Sequence, residues 1–216
     1  MDELGQIKAG SVSRETPTWR WVTDRGLRIA SGDATLAMYR RLCDANLSEI
    51  NEVVPADGSL LLVMKPGVAL PAVLSDILNE EQGRQAAAPG TKQHEIAVTF
   101  DGEDLRFVAA QTGLSVPDLI RRLCATVFSV KFLGFQPGFA YLEGLPEALH
   151  LARRNTPRTR VPAGSVALGG PYCGIYPAEG PGGWHLVGRT EAKLFNPAAR
   201  PPARLQPGDT VRLVPA

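Results

Sequence analysis

Apolar positions recur every second residue in several short runs and every third or fourth residue in only a few. The chain therefore reads as mostly strand with a handful of short helices. Thr18 to Val22 is strand-like, with Trp19 and Trp21 on one face, and Leu27 to Ala30 returns after an Asp24-Arg25-Gly26 turn. From Asp33, which can cap a helix, Ala34, Ala37, Met38 and Leu42 recur at helical spacing. Ile50 to Val54 and Ser59 to Met64 are β-rich runs around the turn Pro55-Ala56-Asp57-Gly58. A second helix fits Pro71 to Gln82, with proline in its first turn and Gly83 just beyond its end. Together these elements predict a small α/β unit behind a polar, aperiodic start of about 17 residues.

Residues 83 to 93, GRQAAAPGTKQ, lack long apolar side chains and hold both Gly and Pro, which predicts a boundary. The expected division is a domain over residues 1–86 and a second over 87–216. The second opens with a strand from His94 to Phe100 and a turn at Asp101-Gly102. A short helix follows over Asp104 to Gln111, then a capped helix from Ser115 with Pro117 early and Leu119, Ile120 and Leu123 inward. Phe128, Val130 and Phe132 alternate as a half-buried strand, and Asp209 to Val214 is the last. The class expected is α+β, with a closed or nearly closed β-barrel in the second domain.

Between them lies a stretch, Phe132 to Thr190, that holds eleven of the 22 glycines and seven of the 18 prolines. Such density normally marks a linker, but here it alternates with Phe135, Phe139, Tyr141, Ile175, Tyr176, Trp184 and Leu186. The expectation is a set of tight turns and irregular loops around a packed aromatic surface, and loops on a rigid scaffold are where binding sites tend to lie.

Composition narrows the function classes. A net charge of +1 implies no polyanionic partner. Cys43, Cys124 and Cys173 form no CxxC pair, which argues against disulfides or zinc and for a reducing compartment. No signal-like start and no membrane-length apolar run are present, so a cytoplasmic protein without nucleic-acid or membrane partners is expected.

No phosphate loop or nucleophile elbow occurs. Ser165, after Pro162-Ala-Gly, reads either as the start of a strand or as a nucleophile. His94 and His150 read as structural, the latter on a surface helix, while His185 after Gly182-Gly183-Trp184 is placed to line a site. Cys124 on a helix and Cys173 in a loop read as packing residues. Arg153, Arg154, Arg158, Arg160 and Arg189 have no comparable acidic cluster beside them in sequence. Arg153 and Arg154 read as a solvated face. Arg158 and Arg160, pinned between Pro157 and Pro162, read as carboxylate or phosphate binders, because the guanidinium fork suits both. Phe135, Phe139, Tyr141, Tyr176 and Trp184 are expected to line one cleft with Arg158.

Five blocks then carry a resemblance: GF-x-PGFAYL from Gly134, R-x(3)-PR-x-R-VPAGSVA from Arg154, GIYP from Gly174, PGGWHLVGRT from Pro181 and LF-NP from Leu194. In this order and spacing they resemble the KipI family, also called allophanate hydrolase subunit 1 or the 5-oxoprolinase B subunit, closely over residues 96 to 214. Cys124 stands where that family usually has His, and Cys173 where it has Thr. The resemblance implies a small α/β domain followed by a cyclophilin-like β-barrel. It implies one subunit of an ATP-dependent hydrolase opening 5-oxoproline to glutamate. Its implied partners are a homologous C subunit (allophanate hydrolase subunit 2-like) and a LamB/YcsF-like A subunit. The cofactor ATP belongs to the assembled complex, and no metal is implied in this chain. The alternatives are an inhibitor of a histidine kinase and a carboxyltransferase component of a biotin-dependent urea carboxylase. Pro137, Gly138, Pro162, Gly182, Gly183 and Ser165 fall in the matching blocks and join the aromatics, His185 and the arginines as the expected surface for substrate or partner. No residue identifies itself as catalytic, and the isolated chain is expected to be inactive because it lacks a complete set of reacting groups.

Overall fold

The computed structural model describes residues 18–72, 74, 76 and 91–216. The polar start, most of the helix expected over Pro71 to Gln82 and most of the expected boundary lie outside the described residues; Leu74 and Asp76 are helical.

The first unit is a four-stranded antiparallel sheet in the order β1-β2-β4-β3. It comprises β1 (Thr18–Trp21), β2 (Gly26–Ala30), β3 (Ile50–Ala56) and β4 (Ser59–Met64). Helix α1 (Thr35–Ala45) buries Met38 and Leu42 against Leu27, Ile29, Leu60 and Leu62, joined there by Leu74. Asp33 does not cap this helix. A 3-10 turn over Gly32–Ala34 leads into it, and Ser31 and Thr35 bond through their hydroxyls at 2.7 Å instead. Pro55 and Ala56, expected in the turn, continue β3, so the hairpin closes tightly on Asp57 and Gly58.

The second unit wraps a seven-stranded sheet, β12-β9-β10-β7-β6-β13-β5, around its own core. Its strands are β5 (Gln93–Val98), β6 (Val127–Leu133), β7 (Ala140–Glu143), β9 (Ser165–Gly169), β10 (Tyr172–Ile175), β12 (His185–Arg189) and β13 (Thr210–Pro215). Alternation on β6 buries Phe128 and Val130 in the core that Val211 and Leu213 of β13 also fill, while Phe132, past a register shift, packs in the aromatic cluster. The sheet's two ends meet where Thr99 and Arg189 exchange both backbone hydrogen bonds at 2.9 Å, nearly closing a barrel. Gly188 permits that approach: a Cβ there would sit 2.7 Å from the Thr99 carbonyl oxygen. A separate two-stranded ribbon pairs β8 (Arg158–Val161) with β11 (Gly180–Gly182).

Two helices pack on this barrel. Helix α2 (Leu105–Gln111) buries Leu105, Val108 and Ala109. Helix α3 (Val116–Ala125) starts at Ser115, whose side chain accepts from the Asp118 amide at 3.2 Å, and buries Leu119 and Leu123. The architecture is α+β and cyclophilin-like, as expected. The glycine- and proline-rich stretch is not chiefly loop, however: all of β7 to β12 lie in it. Cys173, expected in a loop, is fully buried in β10. His150 follows a 3-10 turn (Glu147–Leu149) rather than lying on a surface helix, and its Nε2 donates to the Leu145 carbonyl at 2.8 Å.

Candidate functional site

Phe139 is the hub of the aromatic cluster, with Tyr141, Tyr176 and Trp184 at centroid distances of 5.2, 5.3 and 5.5 Å, all edge-on. Two glycines make the packing possible. A Cβ on Gly174 would lie 2.7 Å from the Phe139 ring, and one on Gly169 would lie 2.6 Å from the Trp184 indole. The aromatics expected to line a cleft instead pack into one another, and Phe139, Tyr176 and Trp184 are buried. Burial pushes the Tyr176 hydroxyl up from its ordinary value. Phe135 alone turns largely to solvent, at 57 % exposed, on a left-handed backbone (φ 68°) that few non-glycine residues adopt. It stands edge-on to Phe139 and Tyr176. Pro137 is exposed and Gly138 is buried beneath Phe195 in the same loop.

Beside this cluster lies a group of paired charges. Asp104, at the start of α2, is buried and holds three donors. Its Oδ1 accepts from Arg158 Nη2 at 2.9 Å and Arg154 Nη1 at 3.0 Å, and its Oδ2 accepts from the Leu186 amide at 2.8 Å. Burial raises the Asp104 pKa. The hydrogen bonds from Arg158 and Leu186 and the charges of Arg158 and Arg154 outweigh that and hold it below the ordinary carboxylate range. Glu103 offers one oxygen, Oε2, to both Nε and Nη2 of Arg158 at 3.3 and 3.1 Å. The guanidinium is held protonated above its usual value, first by the Asp104 hydrogen bond.

His185 joins the same corner, four per cent exposed, with Phe107 stacked on its ring at 5.2 Å. Its Nε2 donates to the Ala152 carbonyl at 2.9 Å, which leaves Nδ1 buried and without a hydrogen-bond partner. Arg153, read as a solvated face, places its guanidinium 5.8 Å from the Trp184 ring centroid. Arg154, read likewise, is half buried and ion-paired.

The structure thus brings Arg158, Gly182, Gly183, Trp184, His185 and Tyr176 into one region. Gly182 pairs with Arg158 across the ribbon, and the Gly183 carbonyl accepts from the Arg154 amide at 2.8 Å. Other expected residues lie elsewhere. Arg160 is exposed and pairs with Glu179 at 2.7 Å. Pro162 is exposed, and its carbonyl accepts from the Ser165 amide. Ser165 is buried at the first position of β9, opposite Arg189 in the ladder. Arg189 bonds Asp101 at 2.8 Å and lines a groove of about 310 Å³ with Glu95, Thr99 and Arg204.

Sequence reasoning missed the carboxylates. Asp101, Glu103 and Asp104 lie 50 or more positions from the arginines they pair with, and no local pattern links them. It also missed a contact between the two units. Lys131 on β6 reaches Asp57 in the β3–β4 turn at 3.0 Å and the Tyr172 hydroxyl at 3.3 Å. Burial opposes the charge on Lys131, but its hydrogen bonds to Asp57 and Tyr172 outweigh that and raise its pKa.

Among the described residues no group of three or more His, Cys, Asp or Glu side chains is placed to hold a metal ion, and no helix is long and apolar enough to cross a membrane.

Residues 19–205 match the family described as carboxyltransferase domain, subdomain C and D. The chain is 40 % identical over 192 residues to the B subunit of 5-oxoprolinase from Escherichia coli O157:H7, an alignment covering 87 % of each protein. The crystal structure of TTHA0988 superposes with a TM-score of 0.76 at 35 % identity, covering 89 % of this chain. This chain spans only 40 % of that larger protein. The Kluyveromyces lactis urea carboxylase shares the fold, with a TM-score of 0.72 at 23 % identity, over 93 % of this chain and 22 % of that one. From these matches, the chain belongs to the carboxyltransferase subdomain C and D family and, within it, to the B-subunit proteins of 5-oxoprolinase.

Proposed function

We propose that this chain is the B subunit of a cytoplasmic, ATP-dependent 5-oxoprolinase, opening the lactam of 5-oxoproline to glutamate with a homologous C subunit and a LamB/YcsF-like A subunit. The observation that carries this reading is the identity to the E. coli protein across nearly the whole of both chains. A lactam carbonyl is a poor electrophile. ATP held by the assembled complex would phosphorylate the lactam oxygen. Water then adds at that carbon, the ring C–N bond breaks with the nitrogen leaving as the amine, and a second water releases phosphate from the resulting glutamyl phosphate. What this chain's residues contribute is recognition of negative charge. Buried Asp104 holds Arg158 in place, so its fork is already oriented for a carboxylate or phosphate once exposed Glu103 gives way.

The remaining groups fit one part of an assembly rather than a complete enzyme. Phe135 offers exposed aromatic area on a fixed backbone, which suits docking of a partner protein. Burial raises the thiols of Cys124 and Cys173, the latter to about 12, which disfavours the thiolate a nucleophile needs. Co-expression with the C subunit, followed by size-exclusion chromatography and assays of 5-oxoproline-dependent ATP hydrolysis with all three proteins, tests the proposal. A stable pair, inactive by itself and active once the LamB/YcsF-like protein is added, is expected. Activity of the isolated chain, or no association, would overturn it.

A further inference from the structure

We propose that the Nε–Nη2 edge of Arg158 is a binding site for a ligand carboxylate, and that Glu103 is the chain's own stand-in there, displaced on binding. Only the ligand's identity as 5-oxoproline rests on the function proposed above. The two carboxylates on Arg158 are unlike. Asp104 has a side chain 8 % exposed and is tied also to the Leu186 amide, so it stays. Glu103 is 75 % exposed and touches Arg158 with a single oxygen shared between two N–H groups. A guanidinium edge is matched best by two oxygens of one planar anion, and an ion pair with one exposed partner is weak. Glu103 therefore occupies the edge without fulfilling it.

A second observation points the same way. Arg154 and Arg158 share one buried carboxylate, so this corner holds two cations against a single buried anion. Buried polar atoms are almost always partnered. Here Arg154 Nε, Arg158 Nη1 and His185 Nδ1 are all buried without a hydrogen-bond partner. Two of these are donors. The third is the other ring nitrogen of a histidine whose Nε2–H donates to the Ala152 carbonyl. The chain's own groups therefore do not fully satisfy the polar atoms of this corner.

The full chain, labelled with 15N, is titrated with acetate, 5-oxoproline and inorganic phosphate while the Arg158 Nε–H resonance is followed. Acetate and 5-oxoproline should move that resonance in a saturable way. Glu103→Gln, at an exposed position, should bind both roughly two- to fivefold more tightly, the worth of an exposed ion pair, with its melting temperature unchanged. Arg158→Lys, which keeps the charge and loses the fork, should bind neither. Unchanged or weaker binding by Glu103→Gln, or no saturable shift in any variant, overturns the proposal. Tighter binding of phosphate than of either carboxylate overturns the ligand class. If 5-oxoproline binds no better than acetate while Glu103→Gln tightens both, the site stands and the substrate reading falls.

Discussion

Arg158 Nη2 and Asp104 Oδ1 lie 2.9 Å apart although 54 positions separate the residues in sequence. The pair fastens the β8–β11 ribbon to the start of α2, and through Oδ2 to the Leu186 amide on β12. Removing one member of a buried pair leaves its partners charged or unsatisfied. Asp104→Ala strands two guanidiniums and one amide, so a loss of about 3 to 5 kcal/mol in unfolding free energy is expected. Urea denaturation of the variant against the parent measures it, and a change below about 1 kcal/mol would reduce the cluster to a surface feature.

The same carboxylate makes stability depend on pH. Its folded-state pKa lies below its ordinary value, near 3.9 for a free aspartate. Its stabilisation is therefore complete above about pH 4 and is lost as pH falls through the folded value. Asp104→Asn should be less stable than the parent at pH 6, with the difference shrinking as the urea midpoint is followed down to pH 3. A difference independent of pH would remove the charge from the explanation.

Gly174 lies under the Phe139 ring with no room for a side-chain carbon. Gly174→Ala forces overpacking in the aromatic cluster, which costs about 1 to 3 kcal/mol. The expected result is a lower urea midpoint with unchanged slope, and loss of fixed aromatic geometry in near-ultraviolet circular dichroism. A parent-like spectrum and midpoint would show that the rings yield freely.

Cys173 is sealed in β10, and burial raises its thiol to about 12. At pH 8 it should resist a thiol reagent in the folded protein and react fully in urea. Mass mapping of labelled peptides distinguishes it from Cys43, which is exposed. Rapid modification of Cys173 in the native state would mean the barrel opens far more readily than its packing implies.

Among the described residues the cores of the two units share no member: one runs from Leu27 to Leu74, and the barrel's two clusters begin at Ile96. We propose a division at residues 86 and 87, so residues 91–216 expressed alone should melt cooperatively, while losing the Lys131–Asp57 contact. A fragment without a cooperative transition would place the division elsewhere.

Local pattern carried much of this protein. Alternation in Val127–Leu133 and Thr210–Pro215 and the Ser115 cap of α3 are properties of neighbouring residues, and each forms where the sequence places it. The five blocks of the resemblance likewise pointed to the family that the comparisons bear out. What could not be read there was pairing at a distance. Gly174 and Gly169, which look like loop formers in Phe132 to Thr190, lie in strands because the Phe139 and Trp184 rings need their space. Arg154 and Arg158 look unaccompanied in sequence, and only the closing of the barrel brings Asp104 under both. Burial then changes the meaning of that charge: in water such a pair is nearly neutral in free energy, whereas inside a folded corner each partner's absence is costly. Local pattern determined most of the elements, and the five blocks carried the resemblance to the family; the tertiary structure decided which charges face each other and how deeply they are buried.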